Sequence, residues 1–235
     1  VNREQAGAIH PRVGSLDVEE LRRRHYNATI SWMRRVHSDL LVLRVVPEGP
    51  LPAVRPGQWA TLGLGYWEPW LSGCRVEEPG PELVSRLVRR AFSVSSPLFD
   101  PDGNREIAPE EESFLEFYVV LVREGMEGGE PPAFTPRLFL LGEGDRIWLG
   151  PKITGTYTLD PVRPDQDVLF CATGTGEAPH NRMIGHLLRS GHQGRIVSVV
   201  CCRKKEDLAY LSVHRRLEQL HSNYRYLALT TRDTT

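Results

Sequence analysis

The chain has 235 residues, 40% of them hydrophobic and 25% charged, with a formal net charge of −1. That length can bury a core as one large domain or two small ones, and the composition is that of an ordinary globular protein. Near-neutral charge gives no support to nucleic acid or a membrane surface as ligand, and no apolar run nears the ~20 residues that cross a bilayer.

The first 25 residues are polar and read as an N-terminal extension without the apolar segment of a secretory signal. Asp17-Val-Glu-Glu20 has capping-box character and predicts a short helix near 18–24. Strand-like runs follow at 28–33, 40–46 and 58–64. Residues 66–88 read as an inserted loop ending in a short helix over 81–88. Strands resume at 91–95, 115–123 and 146–149, with a short one at 158–159. Many short strands between Gly/Pro turns predict a closed or nearly closed antiparallel barrel.

After Pro164 the texture changes. Residues 167–172 form a continuous apolar run of the buried parallel kind. A Gly-rich turn, a helix over 179–190, a strand over 195–202, a helix over 207–221 and a strand over 226–230 complete a doubly wound α/β pattern. The boundary between the two textures falls near 160–166.

Cys74, Cys171, Cys201 and Cys202 have neither zinc nor iron–sulfur spacing. Adjacent Cys201 and Cys202 point to opposite faces of one strand and read as core fillers. A reducing, cytoplasmic setting is the simplest reading. His180, His186 and His192 lack metal-ligand spacing, so no metal site is expected. No nucleophile elbow or P-loop is present, which leaves a hydrolase or kinase unsupported. Arg22, Arg23, Arg24, Arg34 and Arg35 cluster early, and Arg86, Arg89 and Arg90 follow. Each group is either a basic face for an acidic partner or a solvated face, and for the early cluster the solvated face is favoured.

Three motifs carry chemistry. Arg90-Ala91-Phe92-Ser93 alternates a cation, an aromatic ring and a hydroxyl on a strand. An isoalloxazine needs a ring to stack on, a donor near N5 and a cation for its pyrophosphate; an ordinary edge strand is the alternative. Gly174-Thr-Gly-Glu-Ala-Pro179 lies between a buried strand and a helix, where glycines permit close backbone approach. It is not the Gly-x-Gly-x-x-Gly fingerprint. Arg203 and Arg232 end two parallel strands, where open α/β sheets bind ligands, and an arginine there accommodates a 2′-phosphate.

In this order the motifs resemble those of the ferredoxin–NADP reductase family, bacterial type, over roughly residues 28–233. Pro56-Gly-Gln-Trp59 resembles the turn that opens a barrel strand in that family. The resemblance implies that Arg90 meets the FAD pyrophosphate, Phe92 (usually Tyr) stacks on the flavin beside Ala91, and Ser93 bonds at N5 as the catalytic residue. It implies that Tyr118, Val119 and Val120 face the cofactor from the next strand. Phe134-Thr-Pro-Arg-Leu138 resembles the pyrophosphate turn, with Thr135 giving a hydroxyl. Gly174, Thr175 and Gly176 would line the nicotinamide, and Arg203 and Arg232 would favour NADP(H) over NAD.

The implied fold has two domains: an FAD-binding antiparallel Greek-key β-barrel over 26–163, then a doubly wound α/β NADP-binding domain over 164–235. The family normally continues beyond the residue matching Arg232, so the second domain is expected to be C-terminally incomplete. The implied activity is electron transfer between NADPH and a separate acidic carrier, ferredoxin or flavodoxin, docking near Arg86 and Arg89. Two alternatives stay open: an NAD(P)H-dependent reductase component of an oxygenase system, and a non-catalytic flavin-binding subunit.

Overall fold

The structure, a computed structural model, describes residues 7–100, 103, 105–107, 111–125, 127 and 129–233. The first six residues of the N-terminal extension lie outside the described residues. Strand β1 (Ala8–Ile9) precedes helix α1 (Val18–His25), which starts where the capping pattern places it: the Asp17 carboxylate accepts from the Glu20 amide at 3.1 Å. Then come β2 (Ala28–His37), β3 (Leu40–Pro47), β4 (Trp59–Gly65), β5 (Trp70–Leu71), β6 (Leu87–Ser93) and β7 (Leu115–Val120). A four-residue helix α2 (Thr135–Leu138) and strand β8 (Arg146–Leu149) end the β-rich half.

Six strands form one antiparallel sheet in the order β6-β4-β8-β2-β3-β7. Period-two patterning decides its inner face. Ala28 and Ile30, then Ala60, Leu62 and Leu64, are fully buried, and Leu41, Leu43, Phe117 and Val119 meet them in the same core. The sheet curls until its edge strands meet at one point, where the Ser95 amide donates to the Glu116 carbonyl at 2.8 Å. Next to this bridge the Phe92 ring lies edge-on to Phe117, centroids 6.5 Å apart. The main-chain ladder between β6 and β7 is otherwise missing among the described residues, so the curled sheet is open along that seam.

The second half is three parallel strands, β9 (Val168–Thr173), β10 (Ile196–Cys202) and β11 (Tyr224–Thr230), ordered β11-β10-β9. Helices α3 (Glu177–Arg189) and α4 (Leu211–Leu220) provide the crossovers. Phe170, Ile196, Val200, Tyr224 and Tyr226 are buried with Met183, Ile184 and Leu217 of these helices. On the opposite sheet face Leu169, Leu227 and Leu229 are at least half exposed. Cys202 is buried and Cys201 half-buried, as strand alternation requires.

Three local expectations are corrected. Residues 81–86 form successive turns rather than a helix, with Leu83, Val84 and Arg86 amides bonding back three or four residues. The strand begins at Leu87 because pairing with β4 claims the backbone from there on. Thr158–Leu159 is no strand; Thr154 bridges to Trp59 instead. The helix over 207–221 begins only at Leu211, because a 3₁₀ turn at Lys205–Asp207 is closed by the Asp207 carboxylate on the Lys204 amide (3.0 Å).

The N-terminal extension and the inserted loop form one unit. β1 pairs with β5, and the Ser72 amide donates to the Gly7 carbonyl at 2.7 Å. Glu68, 3% exposed, accepts from Arg22 Nε (2.8 Å) and Nη2 (2.6 Å), the Tyr26 hydroxyl (2.9 Å) and the Trp67 indole (3.0 Å). A buried carboxylate stays tolerable only with such a set of donors. Beneath it Arg137 donates to the carbonyls of Glu68, Tyr66 and Ala133. Burial lowers the Arg137 pKa to about 10.

Candidate cofactor crevice

The seam between β6 and β7 gathers most of the residues singled out in the sequence. On β6, Arg90 is paired with Leu62 and Phe92 with Ala60, both core residues, so Arg90 and Phe92 share the inward strand face. Arg90 is nonetheless exposed, because the sheet is open there; its guanidinium only touches the Arg89 carbonyl at 3.0 Å. Phe92 is half-buried, its ring 5.4 Å from that of Phe134. Ala91 is exposed on the other face, and the half-buried Ser93 hydroxyl has no hydrogen-bond partner among the described residues.

Across the seam, β7 departs from the expected arrangement in its side chains. Three successive residues of a strand cannot point at one ligand. Val119 belongs to the barrel core. Tyr118 is buried against the α/β half, its hydroxyl donating to the Asp207 carbonyl at 2.7 Å and its ring edge-on to Tyr210 at 5.3 Å. Val120 alone is exposed, at 39%. The main chain of β7 is better placed. The Glu116 carbonyl bonds Ser95, and the Val122 amide bonds the Thr135 hydroxyl (3.0 Å), both on the edge facing the seam. Strand alternation places the amides and carbonyls of Tyr118 and Val120 on that same edge.

Phe134 and Thr135 are both buried. Phe134 supports Phe92 from behind, and Thr135 fastens the start of α2 to the end of β7. Neither reaches the seam as an exposed group. The Thr135 oxygen accepts from the Val122 amide, which leaves its O–H available to donate.

The turn Gly174–Gly176 enters from the α/β half, between β9 and α3, and runs beside β7. Gly174 has φ +50°, in the left-handed region that glycine tolerates, and a Cβ there would meet nothing within 4 Å. Open space therefore faces this backbone, while Thr175 is half-buried. In Pro56-Gly-Gln-Trp59, by contrast, Gly57 has φ +94° and a Cβ would collide with the Tyr157 carbonyl oxygen. That glycine closes the barrel turn rather than leaving room for a ligand.

Arg203 and Arg232 sit side by side past the ends of β10 and β11, joined by a 2.8 Å bond from the Arg232 amide to the Arg203 carbonyl. Both are exposed, and neither guanidinium has an ion-pair partner among the described residues. Four of the five early arginines are engaged within the chain: Arg22 on Glu68, Arg23 on Glu20 (2.7 Å), Arg34 on the Ala209 carbonyl, and Arg35 on the carbonyls of Phe139 and Leu141, while Arg24 is exposed. Arg86 and Arg89 are exposed, with the Arg89 guanidinium 4.4 Å above the Trp148 ring. Among the described residues no cluster could hold a metal ion, and no helix is long and apolar enough to cross a membrane.

The two halves are held together by polar contacts that sequence inspection did not reveal. His37 bonds Asp207 (3.0 Å), and buried Arg182 pairs with buried Glu112, which also accepts from Ser96 at 2.7 Å. His180, 5% exposed, bonds the Tyr157 hydroxyl at 3.0 Å, and burial lowers its pKa to about 4. The only available signal was the density of polar residues in a helix that the hydrophobic pattern buries on every side.

This architecture, an antiparallel curled sheet beside a parallel α/β layer, is the fold of solved two-domain reductases. It overlays a ferredoxin NADP+ reductase from Neisseria gonorrhoeae with bound FAD and NADP at a TM-score of 0.64, with 18% identity, covering 89% of this chain and 69% of that one. It overlays an Amycolatopsis cytochrome P450 reductase at 0.64, with 20% identity, covering 89% and 53%. At these identities the likeness is one of fold. A family model described as the oxidoreductase NAD-binding domain matches residues 170–235. The flavodoxin/ferredoxin–NADP reductase of Rhodobacter capsulatus is 29% identical over 171 residues, 67% of this chain and 56% of that protein. Over these segments the chain is similar to curated ferredoxin–NADP reductases. It spans about half the length of the curated relatives it matches.

Proposed function

We propose that this chain binds FAD in the β6–β7 seam and NADP(H) over Gly174–Gly176, Arg203 and Arg232, and moves electrons between NADPH and ferredoxin or flavodoxin. The carrying observation is the convergence of three features: an exposed cation on a core-facing strand face, an open main-chain edge and a turn with vacant space before it. The residues fit a large planar anion: a half-buried ring for stacking, a hydroxyl with no other partner, and main-chain donors. Bound flavin would supply hydride acceptance at N5.

In this reading the six-stranded sheet is the Greek-key FAD barrel and residues 164–235 are the first part of the NADP-binding domain. Phe92, backed by Phe134 and Phe117, offers a ring face, and Arg90 neutralises the pyrophosphate. The Ser93 hydroxyl is the group held near N5. Tyr118 and Val120 contribute main-chain donors and acceptors, with Val119 behind them in the core. Gly174 lets the backbone approach the nicotinamide, and the two exposed guanidiniums hold a 2′-phosphate that NADH lacks. Arg86 and Arg89 form the docking face for an acidic electron carrier, and the protein works in the cytoplasm. The P450 reductase among the fold neighbours supports a second reading, a reductase component serving an oxygenase.

Reconstitution with FAD tests the first step. Wild type should retain stoichiometric flavin through gel filtration, and Arg90→Ala together with Phe92→Ala should lose it. A wild-type chain that elutes without flavin would refute the reading.

A further inference from the structure

A line of polar groups, buried from Glu116 onward, crosses from the barrel to the α/β half and is used by none of the roles above. On the barrel side Arg44 Nε bonds Glu116 Oε2 (3.0 Å), and the Tyr210 hydroxyl donates to Glu116 Oε1 (2.9 Å). The Ser95 hydroxyl donates to the Tyr210 oxygen at 3.2 Å and accepts from Asn181 Nδ2 at 3.1 Å. In the α/β half His214 Nε2 lies 2.9 Å from Asn181 Oδ1 and 3.2 Å from Glu177 Oε1. The Tyr226 hydroxyl donates to Glu177 Oε1 at 2.7 Å, and the His214 ring stacks on Tyr226 at 4.3 Å. Tyr224 closes the line on His214 Nδ1 at 2.7 Å. Ser95, Asn181 and His214 are each 0% exposed and Glu177 is 1% exposed.

The placement of this line matters more than its cohesion. Glu177 directly follows the Gly174–Gly176 turn, and Asn181 lies one helical turn further along α3. The cap of the turn makes no side-chain bond and open space faces Gly174, so beside its contacts with β7, β9 and β10 the turn takes its position from the start of α3, where the Glu177 amide donates to the Gly174 and Thr175 carbonyls. Ser95 lies two residues after Ser93 and is pinned to β7 by its own amide. The Ser95–Asn181 bond thus joins the strand carrying Ser93 to the helix carrying the turn. Directional bonds in a dry interior tolerate little displacement, whereas an apolar contact would let the halves slide.

We propose that Asn181 and His214 are positioning residues: the line Ser95–Asn181–His214–Glu177 holds the Gly174–Gly176 turn in register with Ser93. Neither residue touches a cofactor, and both act through the turn. The inference rests on the flavin–nicotinamide reading for its consequence, but the registration itself is a property of the flavin-free chain.

The experiment compares Ser95→Ala, Asn181→Ala and, as a control of equal or larger destabilisation, Leu217→Ala, which is buried in the same core on α4. In flavin-free protein the amide resonances of Gly174, Thr175 and Gly176 should shift or broaden in Ser95→Ala and Asn181→Ala and stay in place in Leu217→Ala. In FAD-loaded protein, stopped-flow reduction by NADPH should slow by about tenfold or more in the first two. NADPH and FAD dissociation constants should stay within about threefold, since an orientation defect costs rate rather than affinity. Unmoved amides in Ser95→Ala, or equal movement in Leu217→Ala, would overturn the proposal. Should the wild type bind no flavin, the functional reading falls while the amide comparison still decides whether the turn is positioned from Ser95. Ser95→Ala removes one oxygen and keeps the measurement decisive should Asn181→Ala fail to fold.

Discussion

Replacing Glu68 with alanine should unlatch the inserted loop from the N-terminal helix. The carboxylate is the common acceptor for Arg22, Tyr26 and Trp67. Without it the buried Trp67 indole loses its acceptor, and the Tyr26 hydroxyl keeps only the bond it accepts from the Gly65 amide at 2.9 Å. Each such loss costs about 1–3 kcal/mol. Arg22, whose side chain is 36% exposed, recovers hydration and adds little. The sum is about 3 kcal/mol, or a midpoint lowered by roughly 6–12 °C for a chain of this length. Thermal unfolding followed by tryptophan fluorescence measures it. A double-mutant cycle with Arg22→Ala should return a coupling of no more than about 1 kcal/mol, as expected for a pair with one partner partly exposed. FAD affinity should move by less than about threefold, because the latch lies outside the seam. A midpoint lowered by no more than about 1 °C would show that this carboxylate does not hold the loop.

Other substitutions separate structural from functional glycines and arginines. Gly57→Ala, where a Cβ meets main chain at φ +94°, should cost more than about 3 kcal/mol in urea unfolding. Gly174→Ala, with nothing in the way, should cost only ~1 kcal/mol of stability but weaken NADPH binding clearly more. Arg203→Ala and Arg232→Ala should each reduce NADPH affinity by about 10–100-fold and leave NADH affinity unchanged, as loss of a charge-assisted phosphate contact predicts. His180 is held neutral by burial, with a folded pKa near 4 against 6.5 unfolded. Between those values the unfolded chain binds the extra proton, so this group's contribution to stability is full above pH 6.5. It should decline as pH falls towards 4, by on the order of 3 kcal/mol. His180→Gln should flatten that part of the stability–pH curve.

The change from short strands to buried parallel runs was legible from periodicity, because burial on one face or two leaves different patterns. The tetrapeptide at 90–93 and the glycine turn at 174–176 stand out in the sequence because the pattern that marks each is local. What escaped was non-local. The Glu68 latch joins residues 42 and 46 positions apart, and its only trace was an acid among aromatics at Tyr66-Trp-Glu-Pro-Trp70. The Ser95–Asn181 bond spans 86 positions. The side-chain directions on β7 could have been read correctly, since alternation alone forbids Tyr118, Val119 and Val120 from facing one ligand. The helix over 81–88 failed because β4 offered Leu87–Ser93 a complete pairing edge, which outweighs local helix preference.

The most direct test of the central claim is an anaerobic titration of the FAD-reconstituted protein with NADPH and with NADH, followed by flavin absorbance. Bleaching by NADPH at a concentration at least about tenfold below that required of NADH is expected from the paired guanidiniums at Arg203 and Arg232. A bound flavin that neither nucleotide bleaches would contradict the proposed electron transfer by this chain and leave it a flavin-binding module.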